Sequence, residues 1–315
     1  MSGHWSERDE CGGRSAVRLI VFIGLKLGRT IARALLYPIT LYFFCRRGPE
    51  RRESRAFLTH ALGRRATVWD IMRHIHAYAA VQVDRIFMLA QTTKRFDIRV
   101  QGLAELDALI AQGKGVLMLG AHIGSFEILR VLATERPDVT TRILMDRQQT
   151  PALTEVLLAL NPKVSASIID VGAGDTNIAL EIQEAASQGA LIGMLADRSR
   201  PQEATTTVQF FGRPAEFPTA PYLIASVLNL PVTLIFGLYR GGDRYDLYFE
   251  TFAEHLSIPR SERQALLNQW AAKFAARLEH YTRLDPFNWF NFYDFWHRRD
   301  DRVSPGSEPA VRSVA

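Results

Sequence analysis

The fold class follows from one stretch, Gly115–Glu127, which reads GVLMLGAHIGSFE. Its first half is a run of apolar residues, typical of a strand that is buried on both faces. A glycine-flanked turn follows, and an amphipathic pattern begins at Ser125. A buried strand that passes through a tight turn into a helix is the repeating unit of an α/β fold.

The same alternation extends from residue 96 to residue 283. The predicted strands are Ile98–Gln101, Gly115–Gly120, Arg142–Met145, Ser167–Val171, Ala190–Leu195, Val232–Tyr239 and Arg244–Glu250. The predicted helices are Leu103–Ala111, Ser125–Thr134, Pro151–Ala159, Asn177–Ser187, Thr219–Asn229 and Arg260–Arg283. This order predicts an α/β fold with a largely parallel sheet flanked by helices, which a hairpin at Gly241–Asp243 makes mixed. We expect a long loop over Ala196–Pro218.

Length and composition are those of a globular protein, with 315 residues, 47% hydrophobic and 23% charged. Two cysteines, Cys11 and Cys45, exclude a disulfide framework and a thiolate metal cage, and they favour a reducing compartment. We predict four regions. These are a disordered lead (1–15), a membrane-associated helical region (16–94), an α/β domain (95–298) and a disordered tail (299–315).

The N-terminal region combines an apolar helical face with a stripe of cations. Arg18, Lys26, Arg29 and Arg33 share one face. The other face carries Leu19, Ile20, Ile23, Leu27, Ile31, Ala34 and Leu35. Such a helix suits the headgroup plane of a membrane, and the alternative is a core helix whose cations line a solvated edge. A cleaved signal peptide is not expected, because cations interrupt the apolar stretch.

The segments that follow add a kink, a basic cluster and further helices. Pro38 is expected to kink the apolar run Leu35–Cys45, and four arginines follow it within residues 46–52. Helical spacing predicts one or two helices over residues 54–93. His74 and His76 lie there, but their spacing points them to different helix faces, so they make a poor metal pair.

His122 closes the strand of the opening stretch, and Glu127 follows five residues later. Across a strand–turn–helix junction the two can form a general base, in which the carboxylate fixes the imidazole tautomer and stabilises the imidazolium. Backbone N–H groups of the turn are candidates for binding an oxyanion. The alternative is a loop histidine bonded to a carbonyl, with Glu127 as a solvated acid. Neither a Gly-x-Ser-x-Gly elbow at Ser125 nor a His-Glu-x-x-His motif is present.

Three blocks carry a family resemblance. Residues 119–129, LGAHIGSFEIL, resemble the Gly-x-His-x-Gly-Asn-Trp-Glu block of the bacterial late acyltransferases of lipid A synthesis, within the lysophospholipid and glycerol-phosphate acyltransferase superfamily. Residues 195–198 with 208–215 are similar to the family's Asp-Gln … Pro-Phe-Phe-Gly-x-x-Ala stretch, and Asp285–Trp289 resembles its Pro-x-x-Trp ending. The chain departs from the pattern at Ser125-Phe126, at Arg198 and at Asp294–Trp296.

The resemblance implies a glycerol-phosphate acyltransferase-like fold with a membrane-associated helix. It also implies acyl transfer from acyl carrier protein, or from coenzyme A in some relatives, to a hydroxyl of a membrane lipid or glycolipid. The resemblance places this reaction at the cytoplasmic face of the inner membrane and implies that it needs neither a metal nor another cofactor. His122 is then the general base, with Glu127 as its support. The departures leave other acceptors open, such as ornithine lipids or pigments.

We also expect substrate-binding residues in the strand-to-helix loops, because ligands of such sheets bind near the carboxyl ends of the strands. They are Gly124, Ser125, Arg147, Asp197, Arg198, Arg200 and Arg213. The arginines among these residues suit bidentate phosphate binding. The basic residues 46–65 suit docking of an acidic carrier protein. A serine-type lipid hydrolase and a non-catalytic lipid-binding protein are the alternatives. Nucleic-acid binding is not expected, since the cations lie beside membrane-like sequence.

Overall fold

The computed structural model describes residue 22 and residues 26–89, 95–127, 139–147, 167–172, 177–200 and 203–296. The predicted helix Pro151–Ala159, most of the helix Ser125–Thr134 and both predicted disordered ends lie outside these residues. The predicted domain boundaries therefore remain predictions.

Nine strands are present among the described residues. They are β1 Asp97–Gln101, β2 Val116–Gly120, β3 Thr141–Met145, β4 Ile168–Asp170, β5 Leu191–Leu195, β6 Thr205–Phe210, β7 Arg213–Pro218, β8 Val232–Tyr239 and β9 Arg244–Ala253. Seven form one sheet in the order β1-β9-β8-β2-β5-β3-β4. All neighbours pair in parallel except β8 and β9, which form the predicted hairpin. The largely parallel, mixed sheet is thus confirmed.

The helices in the described part of the chain flank this sheet. They are α1 Arg29–Arg46, α2 Gly48–Leu62, α3 Val68–Leu89, α4 Leu103–Ile110, α5 Ile178–Ser187, α6 Ala220–Leu228 and α7 Arg263–Leu284, with short 3-10 turns at Arg260–Glu262 and Pro286–Asn288. Local sequence sets several ends. A proline lies in the first turn of α2 and of α6, and Gly63 ends α2 in the left-handed region.

The prediction of a long loop over Ala196–Pro218 was wrong, because β6 and β7 form a two-stranded antiparallel ribbon there. Phe211 and Gly212 make its turn with φ of 51° and 71°, as the right-handed twist of a tight hairpin requires. Thr206, Val208 and Phe210 are buried, while Thr207 and Gln209 between them are exposed. This alternation is a strand signal, but it is short and belongs to a ribbon outside the main sheet.

Helix α1 turns Arg29 and Arg33 inward and part of its apolar side outward. Arg29 and Arg33 both pair with the buried carboxylate of Asp84 on α3, at 2.7 and 3.0 Å. The Tyr245 hydroxyl donates to the same carboxylate at 2.9 Å. Both interpretations of this segment placed the cations at a polar surface, and for Arg29 and Arg33 that placement is wrong. The helix continues through Pro38.

The outward face of α1 is a stripe of large apolar side chains. Leu27 is 57% exposed, Ile31 45% and Leu41 52%. We call this the α1 stripe. It comprises Leu27, which lies just before α1, and the α1 residues Ile31, Leu35, Pro38, Leu41 and Tyr42, which recur at helical spacing. Within the described residues, no helix has the length and hydropathy needed to cross a bilayer.

The chain after α7 crosses the carboxyl edge of the sheet. We call residues 285–296 the C-terminal strap. Trp289 is completely buried in it. Its indole packs edge-on against Phe57 of α2, with ring centroids 4.9 Å apart. The strap therefore connects the N-terminal helices with the strand ends.

Candidate functional site

The register of the sheet brings two loops together. Strands β2 and β5 are parallel neighbours, and their last residues, Gly120 and Leu195, are paired. The Ala196 N–H donates to the Gly120 carbonyl at 2.9 Å, so the correspondence continues past the strands. His122 and Asp197 each come two residues after these ends. Because parallel strands end at the same edge, these two side chains meet there.

His122 and Asp197 form a hydrogen-bonded pair. Nδ1 of His122 lies 2.8 Å from Oδ1 of Asp197, and the His122 backbone N–H donates to Oδ2 at 3.1 Å. The Asp197 side chain is fully buried, whereas 32% of the His122 side chain is exposed. A carboxylate accepts, so Nδ1 carries the hydrogen, and Nε2 is the ring nitrogen that can take a proton.

The pKa shifts of the pair fit a neutral imidazole beside an ionised carboxylate. Burial and then the Arg198 cation lower the pKa of His122, while the Asp197 charge opposes them. Burial alone would raise the pKa of Asp197. The charge that His122 carries when it is protonated, its hydrogen bonds and the Arg198 cation nevertheless hold the pKa of Asp197 below its usual range. The neutral histidine is the form that a general base needs at neutral pH.

The backbone of the histidine loop is fixed from two sides. The Gly124 N–H donates to the Asn288 carbonyl in the strap, and the Ser125 N–H donates to the Gly237 carbonyl of β8, both at 2.8 Å. Together with the His122 N–H, three N–H groups of the turn are therefore engaged inside the protein. These three N–H groups therefore hold the loop in shape, and oxyanion binding by other N–H groups of the turn stays a prediction.

The loop requires glycine at position 124. Its φ is +55°, and a Cβ there would lie 1.8 Å from the Gly237 carbonyl oxygen. Ser125 is buried, and its hydroxyl lies 3.6 Å from the sulfur of Met88. Both residues thus support the loop from its inner side. That placement leaves their predicted contact with substrate without support.

The strap completes the surroundings of Asp197. The Trp289 indole N–H donates to Oδ2 of Asp197 at 3.1 Å. The Phe290 N–H donates to the His122 carbonyl at 2.9 Å, so the strap runs alongside the histidine loop. Arg198 donates to the Phe290 carbonyl at 2.7 Å. Loop, strap and Asp197 therefore hold one another in place.

Glu127 is paired with an arginine of α3. Its Oε1 accepts from Nε and lies 2.8 Å from Nη2 of Arg85. The carboxylate is buried, and the Arg85 charge is close enough to lower the pKa of His122. The carboxylate at Nδ1 of His122 is thus that of Asp197, a residue that the sequence assigned only to substrate binding. A catalytic role for Glu127 stays a prediction.

The remaining predicted arginines lie in two other places. Arg147 and Arg200 each form a hydrogen bond with a residue at the end of β4. The Arg147 N–H donates to Asp170, and the Arg200 guanidinium donates to the Val171 carbonyl at 2.6 Å. Arg213, at the start of β7, stacks over the ring of Trp296, 5.1 Å from its centroid. Arg198 is thus the predicted arginine that directly adjoins the His122–Asp197 pair.

Sequence reasoning missed the roles of Arg85 and Trp289. Arg85 belongs to a helix that ends before the α/β alternation begins, so no local pattern connects it with Glu127. Trp289 lies in the block that resembles the family's ending, and that was the available signal. Among the described residues, no group of three His, Cys, Asp or Glu side chains is placed to hold a metal ion.

A histidine held by a buried carboxylate, at the carboxyl edge of a parallel sheet, is an arrangement that can act as a general base. The sequence profile of the family described as Bacterial lipid A biosynthesis acyltransferase matches residues 16–298. The chain belongs to this family, and it is an acyltransferase. Comparison with individually curated proteins gave no significant match.

Proposed function

We propose that the protein transfers a fatty acyl chain from an acyl thioester to a hydroxyl of a membrane lipid or glycolipid, with His122 as general base. The observation that carries this proposal is the 2.8 Å contact between His122 Nδ1 and the buried Asp197 carboxylate. It orients the ring so that Nε2 takes the proton. The family supports acyl transfer to a lipid as the reaction.

The proposed reaction is a direct transfer. Nε2 of His122 removes the proton of the acceptor hydroxyl, and the oxygen attacks the thioester carbonyl carbon. The tetrahedral intermediate then collapses, the carbon–sulfur bond breaks, and the imidazolium returns its proton to the departing thiolate. Asp197 stabilises the imidazolium between these two steps.

Positive charge around the pair supports the anionic intermediate. Arg198 and Arg85 both lower the pKa of His122, which means that their fields reach the ring. The same fields favour the negative charge that develops on the thioester oxygen. This role does not depend on the N–H groups of His122, Gly124 and Ser125, which are bonded inside the protein. In this proposal Glu127 acts by holding Arg85.

The acceptor is proposed to lie in the cytoplasmic leaflet of the inner membrane, with the α1 stripe against the lipid. An interfacial helix buries its apolar face at the boundary of headgroups and acyl chains. Arg46, Arg52 and Arg55 are exposed at the end of α1 and on α2, where anionic headgroups would meet them. The inward ion pairs of Arg29 and Arg33 favour this orientation, because they keep the stripe turned outward.

The donor is proposed to be acyl carrier protein or coenzyme A. The exposed arginines of residues 46–65 suit an acidic carrier, so the apparent KM for the acyl carrier should rise steeply with salt. An unchanged KM would favour coenzyme A. An acceptor other than a lipid A precursor, such as an ornithine lipid or a pigment, uses the same chemistry at the hydroxyl or amine.

The test is thiol release from acyl-coenzyme A and acyl carrier protein, with and without a bacterial membrane lipid extract. Release that depends on the extract and is lost in His122→Ala supports the proposal. Rapid release into water alone would favour a hydrolase, although the buried hydroxyl of Ser125 argues against a serine nucleophile. No release in any condition would favour a non-catalytic lipid-binding protein.

A further inference from the structure

The proposed reaction does not use His74, a completely buried histidine of α3. Its Nδ1 lies 2.8 Å from the hydroxyl oxygen of Ser54, and its Nε2 lies 3.0 Å from the carbonyl oxygen of Trp289. Ser54 is also completely buried. A histidine sealed in the core with both nitrogens engaged is held in one orientation.

The partners fix the tautomer of His74. A carbonyl can only accept, so Nε2 carries the hydrogen and donates it to Trp289. Nδ1 then accepts from the Ser54 hydroxyl. Burial lowers the pKa of His74 to about 4, opposed by the hydrogen bond to Trp289, so the ring is neutral at pH 7. One neutral ring therefore connects α2, α3 and the C-terminal strap.

Trp289 continues the connection to the site. Its carbonyl accepts from His74, 215 residues away, and its indole N–H donates to Asp197, 92 residues away. Phe292 stacks on the His74 ring at 4.5 Å between centroids, and Phe57 packs edge-on against Trp289 at 4.9 Å. Rotation of the His74 ring would therefore disturb Phe292, and rotation of the Trp289 indole would disturb Phe57.

We infer that Ser54, His74 and Trp289 are positioning residues that hold the Asp197 carboxylate in the orientation that His122 needs. We call them the buried relay. The inference rests on the proposed function, because it gives the relay a role only if the His122–Asp197 pair is the base.

The relay acts on one oxygen of Asp197. Oδ2 receives two N–H groups, from the His122 backbone and from the Trp289 indole, each at 3.1 Å. Oδ1 faces His122 Nδ1 at 2.8 Å. Without the fixed indole, Oδ2 keeps one of these two donors and the carboxylate can turn about its Cβ–Cγ bond. The imidazole then loses its alignment, which lowers kcat while thioester binding is unaffected.

The test compares His74→Gln with His74→Leu in the full chain. The glutamine amide can donate to the Trp289 carbonyl and accept from Ser54, whereas leucine can do neither. We expect His74→Leu to lower kcat by about tenfold at unchanged KM for acyl-coenzyme A, and His74→Gln to keep most of the activity. Phe274→Leu is the matched control, because Phe274 is equally buried on α7 and contributes only packing. It should lower the melting temperature and leave kcat of the folded enzyme unchanged.

The outcomes distinguish a failure of the buried relay from a failure of the proposed general base. If His74→Leu, His74→Gln and Phe274→Leu share the kcat of the wild type, the relay is overturned while the general base stands. If His122→Ala keeps full activity, the proposed function itself fails. Should His74→Leu not fold, Ser54→Ala takes its place, since it removes a single hydroxyl. A two- to threefold loss of kcat is then expected, on the order of one neutral hydrogen bond, and an unchanged kcat overturns the relay.

Discussion

His122 and Asp197 occupy corresponding positions, each two residues beyond the paired ends of β2 and β5. This correspondence explains how side chains 75 residues apart come within 2.8 Å of each other. The register of the sheet brings the two side chains within hydrogen-bonding distance. The strap orients the Asp197 carboxylate, because the Trp289 indole N–H donates to its second oxygen. The site thus depends on main-chain register as much as on the two side chains.

The first prediction concerns the glycine that lets the histidine loop lie against β8. Gly124→Ala would place a Cβ 1.8 Å from the Gly237 carbonyl oxygen at a positive φ. Gly212→Ala is the control, because Gly212 also has a positive φ but has no atom within 4 Å of the added Cβ. The control should cost about 1–2 kcal/mol of unfolding free energy, measured by urea titration, with activity retained. Gly124→Ala should cost more and abolish transfer, and equal effects of the two would contradict the described loop.

The second prediction concerns the pH dependence of the rate. The charged groups that act on the pKa of His122 are Arg198, Asp197 and Arg85, and Arg85 is paired with the buried Glu127. Burial and the arginines lower the pKa of His122, so kcat/KM should rise with pH through a midpoint below about 6.5, the ordinary histidine value. Asp197→Asn removes the charge that raises this pKa, so its midpoint should move lower still. A midpoint that moves upward in this variant would argue against His122 as the titrating base.

The α/β alternation and the strand-end position of His122 could be predicted from the sequence, because both are local patterns of apolar residues and turn glycines. The partner of His122 could not. The five-residue spacing predicted Glu127 as this partner, because it is the nearer carboxylate along the chain. Asp197 becomes its neighbour only through the strand order β2-β5, which places a strand from far along the chain beside the first.

The orientation of α1 was equally beyond the sequence. Periodicity correctly separated Arg29 and Arg33 from the apolar Ile31 and Leu35. Which face turns inward depends on Asp84, a carboxylate in another helix that accepts from both Arg29 and Arg33. A periodic pattern cannot reveal such a partner, because the partner lies outside the pattern.

The third prediction concerns stability at acidic pH. The pKa of His74 is about 4 in the folded state and about 6.5 in an unfolded chain. Between these values the unfolded chain binds a proton that the folded protein does not, so stability is full above pH 6.5 and falls as the pH drops towards 4. The loss from this group is on the order of 3 kcal/mol, read from urea denaturation across this range. In His74→Gln the curve should be flatter, and an identical slope would contradict the neutral buried ring.

The fourth prediction concerns the α1 stripe. Ile31→Glu combined with Leu41→Glu should abolish flotation with vesicles of phosphatidylglycerol and phosphatidylethanolamine, because it places charge where lipid contact is proposed. Both side chains are exposed, so the melting temperature should change little. Leu180→Glu is the control, since Leu180 is 63% exposed on α5, and it should float like the wild type. Flotation of the double variant at the wild-type level would exclude the stripe as the lipid-binding face.

The most direct test of the central claim is the transfer rate of Asp197→Asn, beside His122→Ala, with acyl thioester and lipid extract. An amide at position 197 keeps the shape of the side chain but cannot stabilise an imidazolium. If His122 and Asp197 form the base, kcat should fall by about 100-fold or more in both variants while the melting temperatures stay near that of the wild type. A kcat of Asp197→Asn within about threefold of the wild type would contradict the account.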